Sequence, residues 1–148
     1  TLTSPVNGTQ IPLSEVADET FASEMLGTTV AVEPTDGKIV APCDGEVMNI
    51  FETGHAVCIA TEAGAELLIH IGIDTVSMDG KGFVKKVADG AKVRKGDVLI
   101  EADLDAIKAA GHPATTMMIL TNADDFSKVE KTAAGTVTTA DLAMKIEK

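Results

Sequence analysis

The amino-acid sequence predicts an all-β fold, an antiparallel β-sandwich with one or two short helices. Short runs of β-branched and apolar residues recur along the chain, separated by turns that contain Gly with Asp or Asn. A length of 148 residues with 45% hydrophobic content suffices for one domain with a substantial core. Many short strands with turns between them are typical of sandwiches and barrels. The predicted strands are residues 29–33, 38–41, 46–51, 56–61, 66–71, 83–87, 98–102, 117–121 and 136–138.

One segment carries clear helix signals. Its start has an Asp cap, at Asp103 or Asp105, and its end has the stop signals Gly111 and Pro113, with apolar residues at helical spacing between them. A second short turn is predicted near residues 123–128.

A turn sequence of the form Pro-x-Asn/Asp-Gly occurs twice. The copies begin at Pro5 and Pro42, 37 residues apart, and each is followed by an extended stretch. The repetition indicates paired, quasi-symmetric β motifs.

The charge of the chain excludes several classes of partner. The sequence has 12 Lys and Arg against 23 Asp and Glu, a net charge of −11. Nucleic acids and anionic membranes require a basic surface, so neither is expected as a partner. No apolar run approaches the roughly 18 residues of a membrane span. We therefore expect a cytoplasmic domain without direct membrane insertion.

The two cysteines, Cys43 and Cys58, each stand alone without a CxxC or CxxH neighbour. A zinc knuckle is therefore disfavoured, and a core of this size has no need of a disulfide. We expect both to be small buried hydrophobic residues on strands.

Two histidines, His55 and His70, flank a predicted hairpin turn at residues 61–64. If the loop is Glu62-Ala63, the histidines face each other on one side of the sheet with Cβ atoms roughly 4.5–5.5 Å apart. A three-residue loop would put them on opposite faces. Strand alternation also assigns a core face to Leu67, Ile69, Ile71 and Ile73.

A single histidine on a strand is more often structural than catalytic, but two on one face favour chemistry. Paired imidazoles can hold a metal with a third ligand, act as base and acid, or carry a phosphoryl group on one ring while the other donates a hydrogen bond to it. No HExxH spacing is present, and His112 is expected in an exposed turn without a role.

Four motifs carry a family resemblance. They are Thr53-Gly54-His55, Leu68-Ile69-His70-Ile71-Gly72-Ile73-Asp74-Thr75-Val76, Gly80-Lys81-Gly82-Phe83 and Val93-x-x-Gly96-Asp97. Together they resemble the enzyme IIA component of the glucose family of the bacterial phosphoenolpyruvate-dependent sugar phosphotransferase system. The resemblance runs from about Ser4 over nearly the whole chain.

The resemblance implies roles for three residues. His70 would accept a phosphoryl group on Nε2, His55 would hydrogen-bond the phosphoryl oxygens, and Thr53 would fix the tautomer of His55. The only cofactor would be the transient phosphoryl group on His70. No metal would be required, although the two imidazoles could take up Zn²⁺ adventitiously.

The resemblance also implies partners. The histidine-containing phosphocarrier protein would be the donor, a cysteine on the IIB domain of a sugar permease would be the acceptor, and in some relatives regulated cytoplasmic proteins also bind. Asp18 and Asp74 match positions that would meet basic residues of the donor. Apolar candidates for the docking rim are Phe21, Phe51, Val76 and Met78, whereas Phe83 and Phe126 are expected in the core.

We expect residues 1–148 to form a single enzyme IIA domain. This domain would be either a free-standing protein or the cytoplasmic domain of a longer permease. Two departures from the family pattern, Glu19-Thr20 before Phe21 and Ser77 after Val76, fall on the docking rim. The sequence does not specify the sugar.

Two other classes of protein compete with this interpretation. Residues 41–47 and 93–99 resemble the two halves of biotinyl or lipoyl carrier domains, and Ala143-Met144-Lys145-Ile146 is similar to a biotin acceptor motif. Such domains place the acceptor lysine on a central hairpin, whereas Lys145 is three residues from the end of this sequence. The second alternative is a zinc protein that uses His55, His70 and a third ligand.

Overall fold

A computed structural model describes residues 2–16, 18–24, 26–62, 64–73, 75–132 and 135–147, and only the backbone of Thr20 and Val76. Fourteen strands run through these residues. They are β1 (Leu2–Thr3), β2 (Gly8–Ile11), β3 (Thr28–Pro34), β4 (Lys38–Val40), β5 (Gly45–Ile50), β6 (Ala56–Thr61), β7 (Glu66–Ile71), β8 (Phe83–Lys85), β9 (Lys92–Val93), β10 (Val98–Ala102), β11 (Thr116–Leu120), β12 (Lys128–Lys131), β13 (Gly135–Val137) and β14 (Leu142–Glu147). Two α-helices are present, α1 (Glu19–Ala22) and α2 (Leu104–Ala109), with 3₁₀ helices at Leu13–Glu15, Thr75–Met78 and Ala123–Asp125.

The strands form three sheets, and the pairings within the described residues are antiparallel. The large sheet has the order β13-β2-β3-β11-β7-β6-β5-β9, and two smaller sheets have the orders β1-β14-β12 and β4-β10-β8. Apolar side chains from all three sheets meet in one main core. The predicted all-β sandwich with short helices is confirmed.

A second apolar cluster lies on the other face of the large sheet. The central strand β11 is buried on both faces, because Met118 and Leu120 enter the main core while Met117 and Ile119 enter the second cluster. Burial on both faces explains why the strand has a continuous apolar sequence instead of an alternating one. The second cluster is completed by Val16, Phe21, Ala31 and Ile73.

The strand alternation predicted for β7 holds only to the end of the strand. Leu67, Ile69 and Ile71 are buried in the main core as predicted, but Ile73 belongs to the second cluster. The strand ends at Ile71, and Gly72 has a φ of +74°, so the two-residue alternation does not continue to Ile73.

Helix α2 begins and ends where the sequence signals place it. Asp103 is the N-cap, and its side chain accepts a 3.1 Å hydrogen bond from the Ala106 amide. Of the two Asp candidates, Asp105 lies inside the first turn. Ile107 anchors the helix in the main core.

The repeated turn sequence corresponds to a pseudo-two-fold arrangement. Thr3 N–H donates to the Pro42 carbonyl and, reciprocally, Val40 N–H donates to the Pro5 carbonyl. After the two turns, β2 pairs with β13 through Gly8 and Val137, and β5 pairs with β9 through Gly45 and Val93. The predicted quasi-symmetric motifs are confirmed, and they account for the similarity to carrier domains built from two hairpins.

The two cysteines are unpaired thiols. Cys58 lies on β6 and is half-buried, whereas Cys43 is buried in the turn before β5, not on a strand as predicted. Burial, reinforced by the nearby Asp44 carboxylate, raises the pKa of the Cys43 thiol to about 11. Cys43 therefore stays protonated at neutral pH and acts as a small core residue.

Candidate functional site

His70, near the end of β7, has its ring orientation fixed by the backbone two residues later. Its Nδ1 atom lies 2.8 Å from the Gly72 carbonyl oxygen. Because a carbonyl oxygen only accepts, Nδ1 carries the proton, and a neutral ring then has its lone pair on Nε2. The side chain is half-buried. In this tautomer Nε2 is the ring nitrogen with the chemistry of a nucleophile.

Gly72 can aim its carbonyl at His70 because it has no side chain. Its φ of +74° lies in the left-handed region. A Cβ atom at this position would lie 2.4 Å from the Thr75 methyl carbon and 3.0 Å from the Pro113 carbonyl oxygen. The glycine is needed for both the conformation and the close packing.

His55 lies beside His70, with the two ring centroids 5.1 Å apart and the ring planes at 78°. The side chain is only 4% exposed. Burial lowers the pKa of the His55 imidazole, so the ring is neutral at neutral pH. The Thr53 hydroxyl hydrogen-bonds His55 Nδ1. This hydrogen bond and the contact between the two rings bring together the three residues that the sequence motifs single out, Thr53, His55 and His70.

The histidines meet for a different reason from the one predicted. The residue opposite His70 on β6 is Ala56, and Thr61 N–H donates to the Ala65 carbonyl. The loop enclosed by Thr61 and Ala65 therefore has three residues, 62–64, and is not the predicted two-residue loop Glu62-Ala63. Regular alternation would then send the histidines to opposite faces. His55 instead precedes β6, in a bend where Gly54 has a φ of +73°, and strand alternation does not apply to it.

Two phenylalanines contact the histidine pair. The Phe21 ring lies 4.9 Å from the His70 ring, and the Phe51 ring lies edge-on at 5.2 Å from the His55 ring. Phe21 is buried in the second cluster, whereas Phe51 is 38% exposed. Of these two phenylalanines, both predicted for the docking rim, Phe51 thus has the larger exposed surface.

The other predicted rim residues are placed differently. Met78 is only 9% exposed and packs in the main core, as do Phe83 and Phe126, for which core positions were predicted. Asp18 is half-exposed, directly before α1. Asp74 and the side chain of Val76 lie outside the part of the chain that the structure describes.

His112, for which an exposed turn without a role was predicted, is half-buried and contacts the rim. Its Nε2 atom lies 3.1 Å from the Ser77 hydroxyl oxygen. The segment that carries it runs beside the His70 loop, because Ile73 N–H donates to the Pro113 carbonyl. Strand alternation contained no signal for this contact, which joins a loop to a 3₁₀ helix distant in sequence.

The alternative chemistries find little structural support. Among the described residues, no three His, Cys, Asp or Glu side chains are grouped so as to hold a metal ion. Lys145 lies inside β14, paired with Glu130, and not on a hairpin turn where an acceptor lysine would be expected.

No helix in the described ranges has the length and apolar character to cross a membrane.

Comparison with known proteins agrees with the fold and with the motifs around the histidines. The family described as phosphoenolpyruvate-dependent sugar phosphotransferase system, EIIA 1, matches residues 1–126. The chain is 46% identical over 131 residues to the glucose-specific EIIA component of Halalkalibacterium halodurans, covering 88% of this chain and 76% of that protein. It is 48% identical over 137 residues to the beta-glucoside-specific EIIBCA component of Dickeya chrysanthemi, covering 93% of this chain and 22% of that protein.

A solved structure, the glucose permease IIA from Mycoplasma capricolum, superposes with a TM-score of 0.86 at 36% identity, covering 97% of this chain and 93% of that one. The fold and the sequence matches together define an EIIA-type sugar phosphotransferase component. The chain belongs to the EIIA 1 family of the phosphoenolpyruvate-dependent sugar phosphotransferase system, the family that the four motifs indicated. It spans about a fifth of the length of the fused relatives that it matches.

Proposed function

We propose that this chain accepts a phosphoryl group on Nε2 of His70 from the histidine-containing phosphocarrier protein and passes it to a cysteine on the IIB domain of a sugar permease. The observation that carries the proposal is the hydrogen bond from His70 Nδ1 to the Gly72 carbonyl, next to a second imidazole 5.1 Å away. The first places the lone pair on Nε2, and the second supplies a donor for the incoming oxygens.

The first transfer forms a bond between phosphorus and His70 Nε2 while the bond between phosphorus and the donor nitrogen breaks. The donor nitrogen keeps the electron pair of the broken bond. The His70 ring takes on positive charge as Nε2 becomes substituted, and the Gly72 carbonyl that accepts from Nδ1 stabilises this charge. In the second transfer the IIB cysteine attacks as its thiolate, so a phosphorus–sulfur bond forms while the bond between phosphorus and Nε2 breaks. Nε2 keeps the electron pair of the broken bond, and the His70 ring returns to its neutral form.

His55 acts as the phosphoryl stabiliser and Thr53 as its positioning residue. When the Thr53 hydroxyl donates to Nδ1 of the neutral His55 ring, the ring proton lies on Nε2 and can be donated to a phosphoryl oxygen. Phosphoryl transfer depends mainly on positioning and charge stabilisation, so these groups suffice without a metal or another cofactor.

The partners are proposed from charge and from the fused relatives. With a net charge of −11, the chain suits partners that are basic at the contact, as expected for the phosphocarrier donor. The relative from Dickeya chrysanthemi is named as an EIIBCA component, which joins the three kinds of domain in one protein. We propose a single cytoplasmic IIA domain, with Phe51 and Val76 at the docking surface and Asp18 and Asp74 facing basic donor residues. Phe21 and Met78, which were also predicted for the docking rim, are buried and are not proposed as contacts.

The proposal is tested with three histidine variants. The chain is incubated with phosphoenolpyruvate, enzyme I and the phosphocarrier protein, and transfer onward to an isolated IIB domain is then followed. His70→Ala is expected to accept no phosphoryl group. His55→Gln is expected to accept one but to transfer it poorly, since the amide offers a weaker stabilising donor.

His112→Gln is the matched control, because it alters the third imidazole without touching either proposed role. Since His112 contacts Ser77 on the docking rim, this variant should accept and pass on the phosphoryl group, with any change confined to the KM for a partner protein. If His55→Gln abolished acceptance while His70→Ala still accepted, the two assignments would be reversed.

A further inference from the structure

Both histidines are hydrogen-bonded to one short stretch of backbone, residues 71–72. His70 donates from Nδ1 to the Gly72 carbonyl, and the Ile71 N–H donates to the His55 carbonyl at 2.7 Å. The His55 backbone is thus bound at the peptide group between His70 and Ile71, and the direction of the His70 ring depends on the two peptide groups that follow it and flank Gly72.

These two peptide groups are held at four points. In the peptide group between Ile71 and Gly72, the N–H donates to the Thr115 carbonyl at 2.9 Å, and the Ile71 carbonyl accepts from the Thr75 hydroxyl. In the next peptide group, the Gly72 carbonyl accepts from His70, and the Ile73 N–H donates to the Pro113 carbonyl at 3.0 Å.

Among these contacts, the Thr75 hydroxyl is the one supplied by a side chain from outside the pair of histidines. Thr75 is completely buried, and it is the first residue of the 3₁₀ helix that follows the His70 loop. Its methyl group packs over Gly72, where a Cβ atom would lie 2.4 Å away. Thr75 thus contacts Ile71 through its hydroxyl and Gly72 through its methyl group.

We infer that Thr75 is a positioning residue for phosphoryl transfer, whose hydroxyl fixes the Ile71–Gly72 peptide group and through it the orientation of the His70 ring. This inference rests on the proposed role of His70. Because Gly72 has little intrinsic resistance to rotation, a peptide group released at the Ile71 carbonyl can turn. The Gly72 carbonyl would then no longer hold Nδ1 in one direction, and in-line attack through Nε2 would become rarer.

The two groups on Thr75 are separated by two variants. Thr75→Val keeps a methyl group over Gly72 but removes the hydroxyl, whereas Thr75→Ser keeps the hydroxyl and removes the methyl group. We expect Thr75→Val to slow phosphoryl acceptance about 10- to 100-fold at saturating donor without changing the KM for the donor, because the Thr75 side chain is completely buried and offers no contact to the donor. Thr75→Ser should stay within a few-fold of the wild type.

A spectroscopic readout follows the His70 ring itself. In the unphosphorylated protein labelled with ¹⁵N-histidine, the wild type should show His70 as the tautomer protonated at Nδ1, and Thr75→Ser should match it. Thr75→Val should show a mixture of tautomers. This measurement does not depend on phosphorylation, so the two hypotheses can fail separately. A wild type that accepted no phosphoryl group would contradict the proposed function. The ring signals would still decide whether Thr75 orients His70.

Thr3→Val provides the matched control. Thr3 is also buried and donates its hydroxyl to a backbone carbonyl, that of Pro42, but it lies on β1 in a different sheet. Thr3→Val should leave the transfer rate and the His70 signals unchanged. The positioning role would be overturned if Thr75→Val transferred at the wild-type rate with an unaltered tautomer, or if Thr3→Val slowed transfer equally.

Discussion

At the scale of single residues, the environment of His55 has a thermodynamic consequence. Burial lowers the pKa of the ring in the folded protein, whereas the unfolded chain exposes it with an ordinary pKa of about 6.5. Below that pH the unfolded chain binds a proton that the folded protein does not yet bind. The free energy of unfolding therefore falls as the pH is lowered from about 6.5 toward the lowered pKa of the folded state.

This dependence predicts a property of the His55→Gln variant. Glutamine does not titrate, so the variant should lose less of its unfolding free energy between pH 7 and pH 5 than the wild type loses. Urea denaturation at several pH values in this range measures the difference. Equal slopes in the two proteins would show that the folded protein binds the His55 proton as readily as the unfolded chain does.

The pairing of the histidines shows what could be predicted at this scale. The motifs around His55 and His70 singled out two residues whose rings lie side by side in the structure, but the two-residue loop predicted for the hairpin was wrong. The side-chain direction of His55 is set by the bend at Gly54, and strand alternation contains no information about such bends. The contact between His112 and Ser77 was missed because it joins a loop to a 3₁₀ helix that is distant in sequence.

At the scale of elements, prediction succeeded where a strand is apolar and buried. The predicted bounds of β6, β7 and β10 agree with the structure. Strands β1 and β9 have two residues each, and β12, with the sequence Lys-Val-Glu-Lys, is mostly exposed, so none of them shows a readable alternation. The extended conformation of such strands depends on pairing with neighbouring strands, so their own residues do not predict it.

The start of α2 gives a test at this scale. Asp103 caps the helix through the Ala106 amide, whereas Asp105 contributes only its charge within the first turn. Asp103→Ala should lower the free energy of unfolding by about 1 kcal/mol, and Asp105→Ala by about 0.3–0.5 kcal/mol. Urea denaturation of the two variants measures the comparison, and a larger loss for Asp105→Ala would contradict the assigned cap.

At the scale of the whole molecule, the pseudo-two-fold relation extends to side chains. Asp97 accepts from the Arg94 amide and Asp141 accepts from the Thr138 amide, each at 2.8 Å. The carbonyl of Asp97 accepts from Ala41 N–H, and that of Asp141 accepts from Ser4 N–H. Only the repeated Pro-x-Asn/Asp-Gly turns were recognisable in the sequence, because the two halves differ at most other positions.

The symmetry predicts matched costs for the two aspartates. Asp97→Ala and Asp141→Ala each remove a 2.8 Å hydrogen bond from the amide three residues earlier, so each should lower the free energy of unfolding by about 1 kcal/mol. Asp141→Ala also removes a weaker 3.3 Å bond from the Thr138 hydroxyl, so its loss should be equal or slightly larger. Chemical denaturation of both variants under one set of conditions gives the comparison. A large loss in one variant with none in the other would mean that the two turns are not energetically equivalent.

Phosphorylation of His70 at Nε2 is the step on which the proposed function depends. The most direct measurement is ³¹P and ¹⁵N NMR of the histidine-labelled chain after incubation with phosphoenolpyruvate, enzyme I and the phosphocarrier protein. We expect one phosphoryl group, with phosphorus coupled to Nε2 of a ring whose signals are absent in His70→Ala. Phosphorus bound to His55 or to an Nδ1 atom would contradict it. So would a chain left unmodified by a donor system that phosphorylates another EIIA protein.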